Sequence, residues 1–315
     1  MTAGSQKFGD SHEESGGFID GAEGPAFTLK TPSNPPIPVL IAVPHAGRAY
    51  PAALLERMRQ PESSSVRLED RHVDSLAAEV ARLTCAPLIV AHAPRAMLDL
   101  NRDRDDVDWS MVAGKAQVAI RHSQANRRAR SGLGLVPRRL PGFGEIWRDK
   151  LSHAELDARI AGIHRPYHSA VGRALEQIRD EWGAALLIDL HSMPPLRRRF
   201  DQDQAPEFVI GDRFGASCDS SLAARAFSYL ELHGRQAAHN RPYSGGFVLD
   251  HHAAPARGLH AIQLEVCRAS YLDPSLDRPS ANLAAMARLL AGLVRELGAA
   301  TARIARGRHY DQAAE

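Results

Sequence analysis

Two short hydrocarbon runs, far apart in the chain, each lead into a histidine, and no other feature limits the possible folds as much. The later run, residues 184–188 (Ala-Ala-Leu-Leu-Ile), follows Trp182-Gly183 and closes in Asp189-Leu190-His191-Ser192. The earlier one, Val39–Val43 (Val-Leu-Ile-Ala-Val), runs into Pro44-His45-Ala46-Gly47. Short, continuously apolar stretches read as β-strands buried on both faces, the kind that fill parallel sheets. Such strands carry their trailing residues to the carboxyl edge of the sheet, where open α/β sheets bind ligands. A histidine at the end of each of two such strands is a common way to begin a mononuclear metal site.

Further strand candidates are Leu88–Ala91 and residues 97–100, 208–210 and 261–266, with the later histidine run spanning 186–190. Helical patterns separate them. Residues 74–83 place Leu76, Ala77, Val80, Ala81 and Leu83 on one face, and Ser152-x-x-Glu155 is a capping box opening a helix through Leu156, Ile160 and Ile163. Pro166 is expected to interrupt that helix before a second one through Val171, Leu175 and Ile178; residues 221–232 and 282–304 are further helices. The expectation is an α/β fold with a mixed or mostly parallel central sheet flanked by helices. Residues 1–24, rich in Gly, Ser, Glu and Asp, read as a disordered lead, and 25–315 as a single domain. Residues 109–144 contain no Asp or Glu but carry Arg121, Arg127, Arg128, Arg130, Arg138 and Arg139, and read as an irregular insertion.

A net charge of +2 over 315 residues gives no general argument for nucleic-acid or membrane partners. No stretch approaches the ~20 apolar residues of a bilayer span, and the N-terminal residues lack the pattern of a secretory signal. The 3 cysteines, Cys85, Cys218 and Cys267, are widely spaced, which fits reduced thiols in the cytoplasm rather than a disulfide framework.

If His45 and His191 bind a metal, an acid close by should complete a set of three and leave one position for water. Glu69-Asp70 is the nearest acidic pair after His45 that precedes a helix, and Asp70 is favoured because it sits where the loop returns toward the sheet. Glu265 lies inside the run 261–266, where a carboxylate is costly to bury unless paired or used. It either pairs with a cation such as Arg268 or serves as general base to a metal-bound water. Arg95, Asp99, Asn101 and Arg102 form a polar cluster suited to a carboxylate, although Arg102 can equally pair with Asp103, Asp105 or Asp106.

Taken in order, Pro44-His45-Ala46-Gly47, Arg95-x-x-x-Asp99-Leu100-Asn101-Arg102, Arg165-Pro166-Tyr167-His168, Asp189-Leu190-His191-Ser192, Gly245-Gly246 and Gln263-Leu264-Glu265 resemble the N-formylglutamate amidohydrolase family across residues 37–273. The resemblance implies a fold similar to zinc carboxypeptidases and aspartoacylases, and hydrolysis of N-formyl-L-glutamate to glutamate and formate in histidine breakdown. Read from the residues, the expected site has His45, Asp70 and His191 holding zinc or another divalent metal, Glu265 as the base and Asp189 orienting His191 or a neighbouring group. By the resemblance, Asn101 and Arg102 would hold the substrate's α-carboxylate with Arg95 nearby, and His251 would lie near the substrate or serve the structure. The carboxypeptidase His-x-x-Glu pattern is not kept, because position 48 is Arg. Leu133-Gly134-Leu135-Val136-Pro137-Arg138 also looks like a family element; the first expectation for the basic insertion is a solvated loop, with a substrate-facing lid the alternative. The expected partner is a small N-acyl amino acid, with no nucleic acid and no membrane. Two competing readings are a related N-acyl amino acid hydrolase or carboxypeptidase-like enzyme, and an idle member binding anions or RNA through the insertion.

Overall fold

Alternation of side chains along the strands decides how the sheet is covered. The computed structural model describes residues 11–114, 129, 131–197 and 205–312. Its main sheet is built from β1 (Ser11–Gly16), β2 (Phe27–Pro32), β3 (Val39–Val43), β4 (Leu88–Ala91), β7 (Ala185–Met193), β8 (Phe208–Gly211), β9 (Ala237–His239) and β10 (Leu259–Cys267). The strand order is β1-β2-β4-β3-β7-β10-β8-β9. The centre, β4-β3-β7-β10, is parallel, whereas β1, β2 and β8 run antiparallel to their inner neighbours. A separate small pair, β5 (Arg139–Leu140) and β6 (Gly144–Glu145), lies in the basic insertion.

Along β7, Leu186, Ile188 and Leu190 enter one hydrophobic cluster, while Ala185 and Leu187 enter the other. Val39, Ile41 and Val43 of β3 oppose Leu40 and Ala42 in the same way, as do Ile262, Leu264 and Val266 of β10 against Leu259 and Ala261. The strands are hydrocarbon on both faces because helices cover both. Helices Val73–Thr84, Ser220–Leu232 and Leu283–Gln312 cover the first face, and helix Arg165–Trp182 lies on the second. On that second face the period-two set changes character at the carboxyl ends: after Leu187 come Asp189 and His191, and after Ala261 come Gln263 and Glu265. The mixed α/β architecture is thus as expected, with polar groups gathered at one edge.

Three expectations are corrected. Residues 97–100 do not form a strand; they belong to a buried turn opened by Pro94, whose carbonyl accepts from the Met97 and Leu98 amides. Met97, Leu98 and Leu100 serve core packing, the Asp99 carbonyl accepts from the Arg102 amide, and the Met97 and Leu100 carbonyls are taken by side chains of a helical segment instead of a neighbouring strand. Arg159 Nη1 donates to Met97 O at 2.9 Å, His168 Nε2 reaches Leu100 O at 3.0 Å and His164 Nε2 reaches Arg102 O at 2.9 Å. Pro166 does not interrupt the helix. Between helix His153–Arg159 and helix Arg165–Trp182 lies a π-helical turn, Ile160–His164, closed by the Arg165 amide on Ile160 O. This wider turn leaves Pro166 in the first turn of helix Arg165–Trp182, where its missing N–H is not needed. Within the stretch 1–24, the described Ser11–Gly16 is not disordered: it is edge strand β1, with Glu13 opposite Lys30 on β2.

His168, His252 and His164 pack together beneath the turn, with His168 Nδ1 and His252 Nε2 3.0 Å apart. Burial lowers the pKa of all three, that of His252 to about 3, with neighbouring imidazoles adding to the shift of His252 and His168. These rings are neutral in the fold but charge in the unfolded chain near pH ~6.5. Their contribution to stability is therefore present above that pH and is lost as pH falls toward the folded value. For His252 alone the loss between pH 6.5 and 5 is about 2 kcal/mol. Urea unfolding of the wild type and His252→Gln at pH 7.5 and 5.0 checks this: the stability gap should narrow by that amount at the lower pH, and a constant gap would refute the assignment.

Candidate functional site

His45 follows β3 directly, and Asp70 lies between helices Pro61–Leu68 and Val73–Thr84, where its amide donates to the His45 carbonyl at 2.9 Å. His191 sits near the end of β7, the strand beside β3. The structure thus brings the three expected ligands together: one donor atom from each of His45, Asp70 and His191 lies within 4.8 Å of the others. All three residues are buried. His45 Nε2 donates to Asp99 Oδ1 at 2.7 Å, which leaves the lone pair on Nδ1, a buried atom without a hydrogen-bond partner, 3.7 Å from Asp70 Oδ2. His191 repeats the pattern: Nε2 contacts Asp189 Oδ2 at 2.9 Å, and Nδ1 lies 2.9 Å from Asp70 Oδ2. Two imidazoles with carboxylates behind them, facing a shared carboxylate in front, form a donor set that fits a divalent cation.

The electrostatics agree with that reading. Burial works against a charged His191, yet Asp189 and then Asp70 carry its pKa well above the ordinary imidazole range. Burial likewise opposes ionisation of Asp70, but His191 and His45 hold it well below the usual carboxylate range. The carboxylates of Asp189 and Asp70 on either side thus favour positive charge at this position. Glu265 stands opposite His191 in the parallel β7–β10 pairing. Burial raises its pKa to about 7, opposed by the His191 charge and reinforced by the Asp70 carboxylate. A carboxylate in that range can take up and return a proton near neutrality. It accepts from Gln263 Nε2 at 3.0 Å; Arg268, the alternative partner for Glu265, instead donates to the Glu69 carbonyl, to Ser192 Oγ at 3.1 Å and to Asp70 Oδ1 at 3.4 Å.

The residues expected around the substrate divide into two groups. Arg95 is engaged with Asp99 Oδ2 at 2.9 Å, behind His45. Asn101, Arg102 and His251 instead line a cavity of about 440 Å³, together with Asp103, Asp106, Arg213, Gly245, Gly246, Phe247 and Asp250. The cavity connects to Glu265 through side chains: Asn101 Nδ2 donates to Gln263 Oε1 at 3.2 Å, and Gln263 donates to Glu265. Val248 N–H holds Asn101 Oδ1 at 3.0 Å. Arg102 donates to the Leu133 carbonyl at 2.9 Å and to the Asn101 carbonyl at 3.1 Å, with Asp106 at 3.8 Å.

Sequence reasoning places Asp99 in a polar cluster without identifying it as the partner of His45, although an Asp four residues after Arg95 within that motif is available as a signal. Gln263 and Arg268 are also in view, but their partners depend on strand pairing. Of the basic insertion, Arg121, Arg127, Arg128 and Arg130 lie outside the described residues. Arg138 is paired with Asp108 at 2.6 Å and with Glu145. The described cysteines are free thiols, and burial pushes Cys218 up to about 12 and Cys267 upward, as suits structural residues. Among the described residues no helix is long and apolar enough to cross a membrane.

Known proteins are similar to this chain in sequence and in fold. The chain is 30% identical over 240 residues to the N-formylglutamate deformylase of Pseudomonas putida, covering 75% of this chain and 82% of that one. It is 29% identical over 268 residues to the N-formylglutamate deformylase of Pseudomonas aeruginosa, covering 83% and 91%. The crystal structure of N-formylglutamate amidohydrolase from Ralstonia eutropha JMP134 superposes with a TM-score of 0.75 at 29% identity, over 89% of this chain and 97% of that one. The family model for N-formylglutamate amidohydrolase matches residues 37–272, spanning every motif that builds the site, and the chain belongs to that family.

Proposed function

We propose that this protein hydrolyses N-formyl-L-glutamate to L-glutamate and formate, using a divalent metal held by His45, Asp70 and His191. The observation that carries the reading is the arrangement of His45 and His191, each backed by a carboxylate and facing Asp70. A divalent cation held by these three residues would supply Lewis acidity for attack on the formyl group. Zinc suits the donor set, as do cobalt, iron and manganese.

The protein's own groups do the rest. Glu265 takes the proton of the attacking water and returns it to the departing amine nitrogen, a role open to a buried carboxylate opposite His191 in the β7–β10 pairing. Asp99 and Asp189 fix the orientation of His45 and His191. Arg102 and Asn101 hold the α-carboxylate in the cavity they line, which is joined to Glu265 through Gln263, and His251 borders the same space. Arg95 acts through Asp99. The reaction fits a step of histidine breakdown in the cytoplasm.

Formate release from N-formyl-L-glutamate is the primary test. Protein stripped with chelator should be inactive and recover with zinc, cobalt or manganese, whereas His191→Ala should bind little metal and release no formate. Unimpaired release by the stripped enzyme would exclude the metal-assisted reading. Glu265→Gln should retain the metal by elemental analysis and lose roughly 10²–10⁴ in kcat; near-normal turnover would remove Glu265 as the base. Arg102→Ala should act mainly on KM, raising it roughly tenfold or more, as expected for one lost charged hydrogen bond. A fall confined to kcat would place Arg102 elsewhere in the reaction.

A further inference from the structure

Arg102 and Arg213 line the same cavity, but only Arg102 belongs to the Asp99-Leu100-Asn101-Arg102 segment assigned to the α-carboxylate. A glutamyl substrate carries a second carboxylate at the end of its side chain. We infer that Arg213 binds this distal carboxylate and sets the preference for an acidic side chain, a role that rests on the hydrolase reading above.

Several contacts fix the position of Arg213. It follows β8 in a turn where Arg213 and Phe214 both adopt left-handed backbone, with φ of 55° and 57°, a conformation that residues with bulky side chains seldom take. Buried Asp212 holds the turn: its carboxylate accepts from Asn240 Nδ2 at 2.7 Å, from His239 Nε2 at 2.9 Å and from the Gly215 amide at 3.0 Å. The Arg213 amide donates to the Ser244 carbonyl at 2.9 Å. The neighbouring Gly245-Gly246 pair is explained by the same cavity. A Cβ on Gly245 would meet Leu249 Cδ2 at 2.5 Å and then Arg213 Cδ at 3.1 Å, and one on Gly246 would lie 2.6 Å from Asn101 Oδ1. Gly245 leaves room first for Leu249 and then for the stem of Arg213, and Gly246 for Asn101, so this backbone borders both proposed carboxylate sites.

Asp250, Asp103 and Asp106 also line the cavity. Asp106 lies 3.8 Å from Arg102 and Asp250 accepts from Arg213 Nε at 2.6 Å. The Arg213–Asp250 pair is open to water, with side chains 34% and 50% exposed, so it is held weakly and can exchange. The substrate carboxylate takes the place of Asp250. The remaining acidic groups disfavour anions that fail to engage both arginines.

The test compares N-formyl-L-glutamate with N-formyl-L-glutamine, its isostere with a neutral side chain and the same α-carboxylate, on the metal-loaded enzyme. The ratio of the two kcat/KM values should favour glutamate in the wild type, fall by about tenfold or more in Arg213→Met, and be largely kept in Arg213→Lys. An unchanged ratio in Arg213→Met, or an equal loss on both substrates, would overturn the assignment. Calorimetric binding of L-glutamate and L-glutamine provides a second readout, independent of turnover. If the wild type releases no formate, the hydrolase reading fails, but a glutamate preference lost in Arg213→Met still supports the role of Arg213. Absence of any glutamate preference in the wild type would refute it.

Discussion

Acid and imidazole alternate through the interior of this protein: Asp189, His191, Asp70, His45, Asp99, and finally the guanidinium of Arg95. Removing a single charge from water costs several kcal/mol after relaxation, so no member of this series is tolerable alone. Each neighbour makes the next possible. The series also fixes the polarity of both rings, because the outer carboxylates claim Nε2 and turn the Nδ1 atoms toward Asp70. The surrounding hydrocarbon keeps the effective dielectric low, so a cation, a proton or a substrate dipole at the centre interacts strongly.

The sheet supplies the geometry. β3 and β7 are adjacent and parallel, which brings His45 and His191 to one edge, and the β7–β10 register sets Glu265 opposite His191. Because β7 and β10 are hydrocarbon on both faces, they resist local opening, and the groups at their ends inherit that rigidity. The cavity walls are different. Arg102, Arg213 and His251 come from turns and a short helix, where side chains can adjust to a ligand without disturbing the sheet.

Much of this architecture is legible in the sequence. Strands buried on both faces announce themselves as unbroken apolar runs, and the residues at their carboxyl ends fall at a predictable edge; His45, His191 and Glu265 can be read that way. Asp70 is harder, since a loop acid carries no periodic signal, and its selection rests on where the loop must return. Residues 97–100 show the limit. A short, largely apolar segment in the core has the same composition whether its carbonyls are satisfied by a neighbouring strand or, as for Met97 and Leu100 here, by Arg159 and His168. Those partners lie about sixty residues downstream. Pro166 misleads for a related reason: the wider turn that accommodates it leaves no mark on hydrophobic periodicity. Arg213 is unremarkable in sequence because the cavity it lines is closed by residues from distant segments.

The π-helical turn at Ile160–His164 has a consequence for how this sequence can vary. One surplus residue rotates everything after it by about 100° relative to an uninterrupted α-helix. Arg159 before the turn and His164 and His168 at or after it meet carbonyls of the same loop only because of that offset. A single-residue deletion here would leave an ordinary helix with full backbone hydrogen bonding. It would also turn His164 and His168 away from the segment carrying Asn101 and Arg102. Length, more than side-chain identity, is therefore what this stretch must conserve, and natural or designed relatives should accept substitutions at its exposed positions far more readily than gaps.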